Sequence, residues 1–134
     1  MALFVDTSVW SMAFRRDGDT NLLQVAKLQQ AIVGGELLFT TGIVVQELLQ
    51  GFNGPKQRER LLARFSVIPL IWPSLADHIA ASELGNICRR NGVQCGTVDA
   101  LIAQLCIRAN VDILTTDNDF IHMAKHCALR VWSG

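Results

Sequence analysis

Five acids in this chain have types and spacings that could do chemistry together: Asp6, Glu47, Asp99, Asp117 and Asp119. Asp99 sits in a run, 97–109, that reads as an apolar helix. Its neighbours at i+3, i+4 and i+7 are Ile102, Ala103 and Cys106, whereas polar Gln104 and Arg108 stand at i+5 and i+9. A carboxylate beside the buried stripe of a helix is costly unless it is paired or bound to a cation. The plainer alternative is a first-turn acid that favours the helix N-terminus. Glu47 has Ile43, Val44 and Gly51 at i−4, i−3 and i+4, with Gly51 leaving space beside the carboxylate. It could equally be an ordinary glutamate at a helix boundary. Asp117-Asn118-Asp119 places two acids just after an apolar run. They read as ligands for a hard cation or as a helix-capping turn, or as both, with Asp119 capping and Asp117 coordinating.

Convergent carboxylates cannot all ionise in a dry pocket without a cation. An oxygen-only donor set, free of His and Cys, suits Mg²⁺ or Mn²⁺ rather than zinc. One or two such ions activate water and stabilise both oxygens of an in-line phosphoryl displacement, so phosphodiester hydrolysis is the reaction this set serves best. His78, His122 and His126 are not placed as an obvious general base. The His122–His126 pair lacks the glutamate of a zinc-protease motif and reads as helix surface.

The elements that must position these acids follow from hydrophobic period and turn signals. Short strands are expected at 2–6, 37–41, 67–72, 112–116 and 129–132. Helices are expected from Thr7 or Ser8 as cap to about Arg16, then at 21–33, 43–52, 56–65, 75–90, 97–109 and 120–126, with Thr97 capping its helix. Asp17-Gly18-Asp19 reads as a break. This alternation predicts an α/β fold, a three-layer sandwich with a mostly parallel central sheet, and a single domain over 1–134. Sites in such sheets form outside the carboxyl ends of the strands, and Asp6 and Asp117 each follow an expected strand.

Composition agrees with a packed domain. Half of the 134 residues are apolar and 18% are charged, which excludes a disordered chain. Twelve basic and twelve acidic side chains cancel, but gathering five acids in one site leaves twelve bases against seven acids elsewhere. The expected surface is an acidic pit in a basic rim. Cys88, Cys95, Cys106 and Cys127 form no C-x-x-C pair and are expected to be free thiols of a cytoplasmic protein, with no leader and no membrane span.

The segments Asp6-Thr-Ser, Gln46-Glu47-Leu-Leu-Gln-Gly51, Val98-Asp99-Ala-Leu-Ile-Ala103 and Thr115-Thr-Asp117-Asn-Asp119-Phe120 resemble the four motifs of the PIN-domain nucleases. Length and spacing resemble the VapC toxins of toxin–antitoxin pairs, essentially to the end of the chain. Each motif is weak alone, but four in order make a specific match. The resemblance implies a Mg²⁺- or Mn²⁺-dependent endoribonuclease, inhibited by a small cognate antitoxin and usually homodimeric. It implies Asp6, Asp99 and Asp117 as principal metal ligands, with Glu47 and Asp119 binding directly or through water. Thr7, Ser8 and Thr116 would orient carboxylates or the attacking water.

Lys56, Arg58, Arg60 and Arg64 are the expected RNA-phosphate contacts, with Arg15, Arg16, Arg89 and Arg90 as further candidates. The alternative is a solvated helix face. Trp72 and Trp132 are expected to pack at the core edge. Trp10, with Phe14 at i+4, is a stripe that could serve a dimer or antitoxin interface, and the apolar run 43–52 could receive a partner helix. Two other classes fit these residues less well. A receiver-like signalling module would need a conjugate lysine near a late strand, but Lys125 is the only late lysine and falls on a helix. A non-catalytic PIN-like binding module should have lost acids, and here all are present.

Overall fold

The computed structural model describes residues 2–15 and 22–134. The expected break at Asp17-Gly18-Asp19, the helix start at Asn21 and the candidate Arg16 lie outside the described residues. The order of elements is β1 (Ala2–Val5), α1 (Thr7–Phe14), α2 (Leu23–Val33), β2 (Leu37–Phe39), α3 (Gly42–Gly51), α4 (Pro55–Phe65), α5 (Leu75–Arg90), α6 (Thr97–Ala109), β3 (Asp112–Leu114) and α7 (Asn118–Met123). The strands form one parallel sheet in the order β2-β1-β3.

In β1, Leu3, Phe4 and Val5 are all inaccessible to solvent. Successive strand residues point to opposite faces, so both faces of the central strand are covered. This is why the strand is a continuous apolar run and why the fold is the expected α/β sandwich. Helices α5 and α6 pack on each other, α6 reaches β3, and α1 packs on α2 and α3.

Two expected strands are reduced to single bridges. Within 67–72 only Leu70 pairs, with Thr40, through Thr40 N–H to the Pro69 carbonyl and Ile71 N–H to the Thr40 carbonyl. Pro69 has no N–H, and Pro73 closes the run, so the ladder cannot extend. Within 129–132 only Val131 pairs, with Ile113. Each bridge covers one outer edge of the sheet.

Helix ends follow local chemistry. Ser74 and Asp77 make a reciprocal capping box at the start of α5. The Arg108 Nε lies 2.9 Å from Asp77 Oδ1, and Arg108 also donates to the Trp72 carbonyl. Burial pulls the Asp77 carboxyl upward, but Arg108, the Ser74 N–H and Gln104 outweigh it and hold the group at about 2. Asn110 ends α6 in the left-handed region at φ 55°, which turns the chain into β3.

Three expectations are corrected. Trp10 is core: it is 1% exposed and meets Phe65 edge-on at 5.0 Å, so it offers no face to a partner. Trp72 is 72% exposed because the buried residue of its segment is the preceding Ile71. Thr97 is the first residue of α6 rather than its cap, a place taken by Gly96. Trp132 packs against the core as expected, and Cys88, Cys95 and Cys106 are buried free thiols.

Candidate active site

The register explains how residues more than a hundred positions apart meet. Val5 pairs with Leu114, so Asp6 and Thr115 are the next residues on adjacent parallel strands. The Asp6 N–H continues the ladder to the Leu114 carbonyl at 3.0 Å. Asp6 is 6% exposed, and its Oδ2 accepts hydrogen bonds from Ser8 Oγ at 2.8 Å and Thr115 Oγ1 at 2.9 Å. Burial pushes the Asp6 carboxyl up, while these hydroxyls pull against that shift.

The chain after β3 is pinned by the same groups. Thr116 N–H donates to Ser8 Oγ at 3.1 Å, and Asp117 N–H donates to Thr115 Oγ1 at 3.0 Å. Asp117 then caps α7 by accepting the Asp119 N–H at 2.9 Å. The cap expected from sequence, Asp119, is therefore corrected: Asp117 is the cap and Asp119 lies in the first turn. One carboxylate oxygen from each of Asp99, Asp117 and Asp119 lies within 4.8 Å of the others. Glu47 projects from α3, is exposed, and accepts the Thr7 hydroxyl at 3.1 Å. A side chain at Gly51 would meet nothing within 4 Å, so the space expected beside Glu47 exists.

Asp99 is the electrostatic focus. Burial pushes its carboxyl up to about 6, and the negative charges of Asp117, Asp6, Asp119 and Glu47 add to that shift, in that order. All four other acids thus bear on Asp99, and the five side chains share one field. Asp99 stands in the first turn of α6, as the plainer alternative has it, and its carboxylate also lies with those of Asp117 and Asp119. The donor set is oxygen only, and the neighbouring negative charges make Asp99 costlier to ionise. Those two properties fit a hard divalent cation.

Outside the cluster the placements vary. Lys56, Arg58 and Arg60 are exposed and Arg64 is partly buried. The Arg60 guanidinium lies 5.4 Å from the centre of the Phe14 ring, and it lines a groove with Arg15 and Lys56. Phe14 is at the end of α1 away from Asp6, about 10 Å along the helix axis. These cations flank the acids and do not join them. Arg89 lines a mostly apolar cavity of about 330 Å³ with Ile43, Thr97 and Val98, the last being the residue before Asp99 in sequence. His122 is exposed and His126 is partly buried. Sequence reasoning missed Thr115 and assigned the orienting hydroxyl to Thr116. The signal that finds it is register: Thr115 is the residue directly beside Asp6 across the sheet.

A small parallel α/β sandwich with carboxylates gathered at its strand ends defines a class of fold and site. A family model described as the PIN domain matches residues 3–126, and the chain belongs to that family. Solved structures share the fold across nearly their whole length. A chain of VapBC2 from Rickettsia felis, bound to a DNA fragment from its promoter, matches with a TM-score of 0.71 at 18% identity, over 99% of this chain and 100% of the other. FitAcB from Neisseria gonorrhoeae matches with a TM-score of 0.72 at 18% identity, over 98% and 96%. Mycobacterium tuberculosis VapC20, a sarcin-ricin loop cleaving toxin, matches with a TM-score of 0.65 at 16% identity, over 96% and 98%. Among the described residues, no helix is long and apolar enough to cross a membrane.

Proposed function

We propose that this protein is a Mg²⁺- or Mn²⁺-dependent endoribonuclease and the toxin of a toxin–antitoxin pair. The observation that carries the reading is the gathering of Asp99, Asp117 and Asp119, whose carboxylate oxygens lie within 4.8 Å of one another. Asp99, Asp117 and Asp119 would hold the cation, with Asp6 as a further ligand and Glu47 acting directly or through water. When bound, such a cation supplies positive charge to a phosphodiester and acidifies water beside it. The chain's own part is preorganisation. Ser8 and Thr115 hold Asp6, the α7 turn holds Asp117 and Asp119, and Thr7 holds Glu47. The cations Lys56, Arg58, Arg60 and Arg64 would contact RNA phosphates away from the cleaved bond.

The partner is a small cognate antitoxin, as in the VapBC complexes whose fold this chain shares. A homodimer is the proposed assembly, supported by exposed apolar side chains at Trp72, Leu75 and Ile79. The proposed place of action is the cytoplasm, where the RNA is.

The test is cleavage of cellular RNA by purified protein with Mg²⁺ or Mn²⁺. Asp6→Ala or Asp99→Ala should abolish cleavage while circular dichroism shows an intact fold. Full cleavage by either variant, freed of contaminating nuclease, sinks the mechanism. Expression of the chain alone should arrest growth, and co-expression of a small adjacent-gene antitoxin should restore it. Normal growth at verified expression counts against the toxin role.

A further inference from the structure

The hydroxyl of Thr115 has one proton and two lone pairs, and its partners fix how they are used. Asp6 Oδ2, as a carboxylate, accepts; the Asp117 N–H only donates. At 2.9 Å and 3.0 Å the Thr115 proton therefore points at Asp6, while its oxygen receives Asp117. Ser8 is fixed in the same sense: it donates to Asp6 Oδ2 at 2.8 Å and accepts from Thr116 N–H at 3.1 Å. Both hydroxyl protons are committed to Asp6, so the 3.3 Å approach of Ser8 to Thr115 carries none of its own.

Thr115 is 2% exposed, so water does not replace what its hydroxyl supplies. That one oxygen, 109 positions from Asp6 in sequence, ties a carboxylate delivered by β1 to the backbone of a carboxylate delivered after β3. Asp117 in turn accepts from Asp119, so the line of hydrogen bonds runs from Asp119 through Asp117 and Thr115 to Asp6. Without the Thr115 hydroxyl, Asp6 loses one of its two hydroxyl donors, and the Asp117 N–H loses its partner in a nearly dry place.

We propose that Thr115 is a positioning residue that sets the spacing of Asp6 and Asp117, and so the affinity of the acid cluster for its cation. The inference rests on the metal-site reading above. It adds a residue that touches neither cation nor substrate but governs two that would.

The experiment compares Thr115→Ser, Thr115→Ala and Thr115→Val in the full chain, with binding of Mn²⁺ alone measured calorimetrically. Outer partners of metal-ligating side chains are typically worth about 10–100-fold in affinity. Thr115→Val should weaken Mn²⁺ binding at least about tenfold, and should raise the Mn²⁺ concentration for half-maximal RNA cleavage by the same factor. Ser and Ala both lack the methyl group, and only Ala lacks the hydroxyl. Thr115→Ser should stay close to wild type while Thr115→Ala loses affinity like Val, and this pair decides the matter if the Val variant does not fold. Equal Mn²⁺ affinity in the Ser and Ala variants, whatever their melting temperatures, overturns the proposal by reducing Thr115 to a structural residue. Wild-type protein that binds Mn²⁺ but cleaves no RNA refutes the nuclease reading, and the Mn²⁺ comparison still decides the role of Thr115.

Discussion

Asp99 illustrates what a single residue contributes at the expense of stability. Its carboxyl is held at about 6, above the ordinary 3.8, so the fold disfavours its charged form. A raised folded-state value means stability that is full below about 4 and lost as pH rises through about 6. In protein kept free of divalent ions with a chelator, this group alone should lower the melting temperature across that window. Asp99→Asn removes the charge and should stabilise the chelated protein at pH 7 by about 1 kcal/mol, allowing for solvent screening at a partly exposed site. Calorimetric melts of wild type and variant at pH 4 and pH 7 check this. Equal pH dependence in the two proteins would show that burial and the neighbouring acids do not raise the Asp99 carboxyl.

Asp77 has the opposite sign and belongs to the scale of elements, since it joins α5 to α6. Its folded-state value of about 2 lies below the ordinary 3.8. The stability it contributes is present above about 4 and lost as pH falls toward 2. Arg108→Met should therefore destabilise the protein at neutral pH by about 1.5–3 kcal/mol, the range for hydrogen bonds to charged groups, and the difference should shrink in acid. Ser74→Ala, which removes half of the capping box, should cost about 1 kcal/mol. Urea titrations at pH 7 and pH 3 separate the two effects.

The same scale shows what could be read from the chain beforehand. Helices α5 and α6 were legible to the residue because long apolar periods define them. The outer strands were not, because whether Leu70 or Val131 pairs depends on Thr40 and Ile113, far away in sequence. Three of the five acids, Asp6, Asp99 and Asp117, could be argued from position and Glu47 and Asp119 chiefly from the resemblance, yet only register shows that Thr115 lies beside Asp6. Trp10 failed as an interface residue because an i, i+4 aromatic pair looks alike whether its helix faces a partner or, as here, Phe65.

At the scale of the whole molecule, a net charge of zero conceals a division. Acids concentrate at the carboxyl end of the sheet, and Arg15, Lys56 and Arg60 line a groove about one helix length away. Mn²⁺ should raise the melting temperature of the wild-type protein at pH 7.5 and have little effect at pH 5, where Asp99 is protonated and the cluster carries less charge. Differential scanning fluorimetry across that range is the check, and an equal shift at both pH values would place the ion elsewhere.

The central strand β1 is made well before its neighbour β3 and the α7 turn, which come from beyond residue 111. A ribosome reading this message therefore exposes Asp6 long before Thr115 and Asp119 exist to complete the cluster. Under the proposed activity, a growing chain cannot harm the RNA around it, including the message and ribosome producing it. Because strand pairing over such a span is slow relative to local helix formation, a newly released molecule also spends time harmless. In that interval an inhibitor can reach it before it does damage.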